Sequence, residues 1–217
     1  MSETGRHVEL REQTHQLLQG SLKHVRAAAL AAMLVPLAAV AVSPAIATLQ
    51  ASGGTGGGNG AVPSPCDFVT SGGFVLTDDG RDASFGAHGG CKDGDFWGHL
   101  NYVDHATGYH VDSVTITGYL TPSPGSNIRD ICGSATTNDP ADPQPVSFRV
   151  RLIDKAEPGN SNQFGIRLSN GYVVATRPLN AHVHGGGNVQ LHNPNPSTTG
   201  PDPSPDEATM CNGVEAP

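Results

Sequence analysis

The chain has 217 residues and a formal net charge of −8, with 12 Lys and Arg against 20 Asp and Glu, and it is rich in Gly (28) and Pro (17). That balance disfavours nucleic-acid binding, which needs a basic footprint, and adsorption to anionic membrane surfaces. It suits a soluble exported domain and leaves room for calcium or a cationic partner.

Residues 27–47, AAALAAMLVPLAAVAVSPAIA, are almost wholly apolar. Lys23 and Arg26 precede them, and Ala45-Ile46-Ala47 forms a small-residue cleavage pattern. The three parts predict a secretory signal peptide over 1–47. The apolar run is also long enough to span a bilayer, so an uncleaved anchor is the alternative. The leader has no paired arginines and gives no support to a twin-arginine route. Residues 48–65 are glycine-rich without apolar periodicity and read as a flexible linker.

From Cys66 to His192 no helical period is sustained. Short β-prone runs alternate with Gly, Asn, Asp and Pro, at 67–76, 83–88, 95–104, 109–120, 128–136, 146–154, 163–169, 172–176 and 182–192. This spacing predicts one all-β domain, an antiparallel β-sandwich of jelly-roll or Ig-like type, or a flattened barrel. In VSFRVRLID, Val146, Phe148, Val150 and Leu152 share one face while Ser147, Arg149 and Arg151 share the other. Asn170-Gly171 is a strong hairpin signal. Phe68, Phe74, Phe85, Phe96, Trp97, Tyr102, Phe148 and Phe164 are expected to carry much of the core. Residues 193–217 are rich in Pro, Ser and acid and are expected to be extended or disordered, because they cannot bury enough apolar surface to offset chain entropy.

Four cysteines follow the leader: Cys66, Cys91, Cys132 and Cys211. An even number in an exported chain predicts two disulfides, with three connectivities open. Cys91–Cys132 with Cys66–Cys211 is the favoured set, since the second bond ties the loose tail to the start of the domain. No CxxC spacing is present, which disfavours a zinc ribbon.

HVHGGGNVQLH, residues 182–192, is the densest histidine cluster. A three-residue loop at Gly185–Gly187 would make it a hairpin, with Val183, Val189 and Leu191 on one face and His182, His184, His192, Asn188 and Gln190 on the other. That solvated face accounts for every residue. The sharper alternative is a zinc or copper site on His182, His184 and His192, with Asn188 and Gln190 orienting the rings. In DKAEPGNSN, Asp154, Glu157, Asn160 and Asn162 offer oxygen ligands for Ca2+; a plain Pro-Gly turn is the competing reading. In DHATGYH, Asp104 with His105 and His110 could poise a general base, although Asp also starts turns by bonding its own backbone. No nucleophile motif accompanies them. Trp97, the only tryptophan, follows Phe96 in a strand, so at most one of the two faces the core and Trp97 is a platform candidate for sugar.

FVTSGGF, GHLNYVDHATGYHVDSVTITGY, LIDKAEPGNSNQFGIRLSNGY and GGGNVQLH occur in the order found in the post-COAP domain, which the segment Cys66–His192 resembles. The resemblance implies a small extracellular antiparallel β module of bacterial exported and surface proteins, without an established enzymatic activity. Two segments depart from its pattern. RPLNAHV is expanded, and NSNQF lacks an Asp before the aromatic strand, so cation ligation by that Asp is not carried over.

The expectation is therefore a secreted or cell-envelope, disulfide-braced, monomeric β domain with a binding or structural role toward an extracellular protein or a polysaccharide. The rival is a small metal-dependent or general-base hydrolase using Asp104, His105 and His110.

Overall fold

The computed structural model describes residues 60–155, 157, 159–179 and 186–217. The expected signal segment, most of the linker, His182 and His184 lie outside these residues. Nine strands follow in order: β1 (Phe68–Leu76), β2 (Asp82–Lys92), β3 (Asp95–Asp104), β4 (Tyr109–Leu120), β5 (Ile128–Thr137), β6 (Val146–Ile153), β7 (Gln163–Leu168), β8 (Val173–Pro178) and β9 (Gly187–His192). A 3-10 turn, Gly159–Ser161, precedes β7, and a short helix α1, Glu207–Cys211, lies near the C-terminus. Among the described residues no helix is long and apolar enough to cross a membrane.

The described residues are all-β and antiparallel, as expected, but the strands form one sheet, in the order β8-β7-β6-β5-β4-β3-β2-β1-β9, where a two-layer sandwich or a flattened barrel was expected. Short turns let each strand from β1 to β8 pair with its chain neighbour, and β9 returns to lie beside β1. The sheet is curled. Phe85 on β2 stacks on Phe164 of β7 with ring centroids 3.9 Å apart, although four strands lie between them. Curling lets one sheet supply both walls of its own core.

That core follows the alternation of the strands. Val146, Phe148, Val150 and Leu152 are buried, as are Phe85, Tyr102 and Phe164. Of the eight aromatic residues expected inside, Phe68, Phe74 and Trp97 belong to the opposite, convex parity, and Phe74 is 38% exposed. A half-wet sheet has two parities, and hydrophobicity alone does not say which one an aromatic ring occupies.

A curled open sheet leaves two edges with unpaired backbone groups, which must be satisfied. Side chains from distant turns do this. On the β9 edge, Asp154 Oδ2 accepts the N–H of Leu191 at 2.8 Å, and Asn162 Nδ2 donates to the carbonyl of Val189 at 2.8 Å. On the β8 edge, Asp78 Oδ1 accepts the N–H of Ala175 at 3.0 Å, and Arg177 donates to Asp78 and to the carbonyl of Thr77. Each edge is thus capped by a turn that belongs to the other side of the curl.

The ladder partner of β9 is β1, with Gly73 opposite Gly187 and Phe68 opposite His192; the first strand of the expected hairpin about Gly185–Gly187 lies outside the described residues. A Cβ on Gly73 would lie 2.6 Å from the Cα of Gly187; two facing glycines let the backbones approach where bulk would hold them apart.

The disulfides are Cys66–Cys91 and Cys132–Cys211, which corrects the favoured pairing. Register decides it. Phe68 pairs with Gly90, so Cys66, just before β1, reaches the end of β2. Cys132 faces outward from β5, where the tail crosses it.

The tail is accordingly not loose. Met210 is fully buried and forms a second small core with Leu120, Cys132 and Cys211 on the convex side of β4–β6. Gly118 leaves the room for it: a Cβ there would lie 2.4 Å from Met210 Cβ. Beneath the tail Asp130, wholly buried, accepts from Arg149 and Arg151, and Arg149 also reaches Glu207 of α1 at 2.6 Å. The supposed solvent face of β6 is therefore a covered charge cluster. The last linker residues are also fixed, with Ala61 bridging to Thr121 and the N–H of Gly60 donating to Glu207.

Candidate ligand-binding face

Among the described residues, α1 covers the convex side of β4–β6, and the tail meets β2 and β3 only at their turn, where the carbonyls of Ser197 and Thr199 accept from Asp93 and Gly94. Cross-strand register lays out what the uncovered part presents. One row runs His192, Phe68, Gly90, Trp97, and the next runs Gln190, Thr70, His88, His99. A third runs Asn188, Gly72, Gly86, Asn101, Asp112.

The rings of the first two rows form a continuous strip. His192 stacks on Phe68 with centroids 4.3 Å apart and planes 5° from parallel. Phe68 and Trp97 are 6.1 Å apart, Trp97 and His88 5.6 Å, and His88 and His99 6.0 Å. Backbone and side-chain hydrogen bonds fix their orientations. Trp97 Nε1 donates to the carbonyl of Cys91 at 3.3 Å, and His192 Nε2 is 2.8 Å from Thr70 Oγ1. His99 Nδ1 is 3.0 Å from Ser113 Oγ, and its Nε2 is 3.4 Å from Asp112. The imidazole of His88 is pushed below its usual pKa, first by burial beside these rings and then by the charge of His99. It presents a neutral ring at pH 7. None of the three rows contains Lys or Arg.

Only some of the residues singled out from sequence meet here. Trp97 and His192 are in the strip, and His110 sits on the same face, with Nε2 2.7 Å from Asn101 Nδ2. Asp104 lies on the opposite parity, fully buried. It accepts from Arg81 at 2.9 Å and from the N–H groups of Ala106 and Thr107, the turn-starting role. His105 is exposed in that turn, 6.4 Å from the ring of Phe74. Asp104, His105, His110 and His192 therefore do not converge on one point.

Three of the four oxygen ligands considered for calcium are engaged in hydrogen bonds with β9. Asp154 and Asn162 bond β9, Asn162 also donates to Asn188 Oδ1, and Glu157 accepts from Asn188 Nδ2. Asn160 lies in the 3-10 turn. Among the described residues no three His, Cys, Asp or Glu side chains gather as a metal site.

Sequence reasoning missed Phe68, His88 and His99. The signal was present in β3, where Trp97, His99 and Asn101 share a parity opposite to Leu100 and Tyr102, but the partners on β1 and β2 needed the register.

Comparison with family models, with curated proteins and with solved structures gives no match for this chain.

Proposed function

We propose that the chain is an exported, non-enzymatic module that binds a neutral polysaccharide on the uncovered convex face, with Phe68 and Trp97 as the stacking rings. The observation that carries this is the row His192–Phe68–Gly90–Trp97, where two rings inclined at 46° flank a glycine on the sheet beside hydroxyl, amide and imidazole groups. A pyranose has an apolar C–H face and a rim of hydroxyls. Rings take the face at low entropic cost, and Thr70, Gln190, Asn101 and the histidines can serve the rim. The three rows hold no Lys or Arg, and the next row of the same parity sets the exposed Lys92 opposite Asp95, so the surface carries no excess of cations for a polyanion, which favours an uncharged chain. Two disulfides fit an oxidising compartment, where an extracellular glycan would be met. The resemblance to the post-COAP domain implies an extracellular module without established enzymatic activity and supports that part of the reading alone.

Trp97 is the only tryptophan, so its fluorescence reports this face alone. Titration with soluble neutral polysaccharides, one after another, is expected to quench or shift the emission with at least one of them. Retention by that polysaccharide in affinity electrophoresis is expected to fall at least tenfold in Trp97→Ala and in Phe68→Ala. Retention unchanged in both variants refutes the assignment.

A further inference from the structure

In a meander, alternate turns lie at the same end of the sheet. Four of them meet at the Asp104 end: Thr77–Arg81, His105–Gly108, Asn138–Pro145 and Ser169–Tyr172. Between them is a cleft of about 430 Å³, lined by Arg81, Asp104, Tyr109, Asp142, Asn170 and Tyr172 among others. It is separate from the strip, since Asp104 belongs to the concave parity.

Two of its walls are aromatic. The rings of Tyr109 and Tyr172 lie 4.9 Å apart at 30°. Both hydroxyls are already committed. Tyr109 donates to Asp142 Oδ2 at 2.7 Å and accepts from Asn170 Nδ2 at 2.8 Å, while Tyr172 shares a 2.7 Å hydrogen bond with the phenol of buried Tyr102. Burial pushes both phenols up to about 12, so they remain neutral. What they offer a ligand is the ring surface that borders the cleft and that the neighbouring ring does not cover.

The charge of the cleft is negative. Its one cation, Arg81, is held by Asp104 at 2.9 Å and by Asp79 at 3.2 Å. Asp139 and Asp142 have no cationic partner among the described residues, whose ion pairs all lie elsewhere. Hydrogen bonding by Thr137 and Tyr109, with Asn170 beside them, holds Asp142 below the usual carboxylate range, so it stays ionised. The bonds from Tyr109 and Thr137 both fall on Oδ2.

Aromatic faces beside uncompensated carboxylates solvate a large, weakly hydrated cation better than they do a sugar or an anion. We infer that this cleft binds an organic ammonium group, with Tyr109 and Tyr172 as the ring walls and Asp142 as the counter-charge.

Choline chloride is the probe, 3,3-dimethylbutan-1-ol its uncharged isostere, and sodium chloride the ionic-strength control. In amide NMR spectra of the exported chain, choline is expected to shift the signals of Gly108, Tyr109, Asn170 and Gly171 saturably. The alcohol is expected to bind at least tenfold more weakly. Asp142→Asn, which retains shape and hydrogen bonding, should weaken choline about tenfold, as should Tyr109→Leu. Tyr109→Phe, which keeps the ring, should bind within about twofold of the native chain. Trp97→Ala should leave choline binding unchanged and so separates this site from the polysaccharide face. Equal affinity for the alcohol, shifts no larger than those in sodium chloride, or loss of binding in Tyr109→Phe would each overturn the inference.

Discussion

The rings of Phe68 and Trp97, on β1 and β3, face each other at 6.1 Å across a strand that separates them, because residue 90 between them is glycine. A Cβ at Gly90 would lie 2.4 Å from Phe68 Cβ and 2.7 Å from the carbonyl oxygen of Asp67. Gly90→Ala must therefore push β1 away from β2 beside the Cys66–Cys91 bond. The expected cost is about 1–3 kcal/mol of stability, read by urea denaturation, together with weaker polysaccharide retention. Phe68→Leu keeps apolar bulk without the ring face. It should weaken retention with little change in the denaturation midpoint. If Phe68→Leu retains the polysaccharide like the native chain, stacking is not the basis of binding.

Asp154 and Asn162 close the β9 edge, so their substitution should open that edge before it affects the core. Asp154→Ala leaves the N–H of Leu191 without its acceptor, and the expected loss is about 1–3 kcal/mol. Asp154→Asn retains an acceptor oxygen and should lose less. Hydrogen exchange at the Leu191 amide distinguishes the two, with fast exchange expected only in Asp154→Ala. Slow exchange in both variants would mean that the clasp is not what protects this strand.

Most strand positions were legible in the sequence because alternation and turn residues are local. The predicted run at 146–154 is β6 within one residue, and the parity of Val146, Phe148, Val150 and Leu152 is the observed one. What failed was non-local. Whether Phe68 faces the core or water depends on the curl, and the curl depends on contacts such as Phe85 with Phe164, 79 positions apart in the chain. The tail read as disordered because its composition is polar, yet one methionine, one disulfide and one salt bridge hold it down. The strip itself was half visible. Trp97 stood out as the sole tryptophan, while His88 and Phe68 gain significance only from the strands beside them. Asp154 and Asn162 drew attention as oxygen ligands, and the same hydrogen-bonding capacity is spent on backbone N–H and C=O groups.

Asp130 holds two guanidinium groups at once, accepting from Arg149 and Arg151 through both of its oxygens with no exposed surface of its own. Asp130→Ala leaves Arg151 without its ion pair and the almost fully buried Arg149 with Glu207 alone. Breaking a buried ion pair from one side costs about 3–5 kcal/mol, and here two pairs break together, so the variant is expected at the upper end of that range or unfolded. The triple change of Asp130, Arg149 and Arg151 to apolar residues should recover much of the loss. A single Asp130→Ala variant within 1 kcal/mol of the native chain, a bound set by the same comparison, would show that the cluster is solvated and unimportant.

The lowered pKa of His88 has a consequence of definite sign. Its folded value lies below the ordinary 6.5 because burial disfavours the charged ring. The folded state thus binds this proton less readily than the unfolded chain does. The contribution of His88 is fully present above pH 6.5 and is lost as pH falls through the lowered value. Melting temperature should decline as pH is lowered from 7 toward 5, and His88→Gln should flatten part of that slope. An identical slope in His88→Gln would place the pH sensitivity elsewhere.

The covalent and the ionic contacts that help fasten the tail can be tested separately. The Cys132–Cys211 bond closes a separation of 79 residues, for which chain-entropy arguments give about 4–5 kcal/mol and typical measurements about 2–4. Cys211→Ser should cost that much and free the segment around Met210 to proteolysis. Met210→Ala, which empties a fully buried site while leaving the bond intact, should cost about 2–5 kcal/mol. The ionic contact responds to acid. Burial acts to raise the pKa of Glu207, but the N–H of Gly60 and the guanidinium of Arg149 outweigh it, and the net value lies below 4.5. Its stabilisation is therefore complete above pH 4.5 and disappears as pH falls through the lowered folded value. In the Cys211→Ser background, limited proteolysis of residues 204–217 should accelerate below pH 4.5, whereas Glu207→Gln should already be fast at pH 7. Equal cleavage rates at pH 7 and pH 3.5 in Cys211→Ser would show that Arg149 and Glu207 contribute nothing to holding the tail.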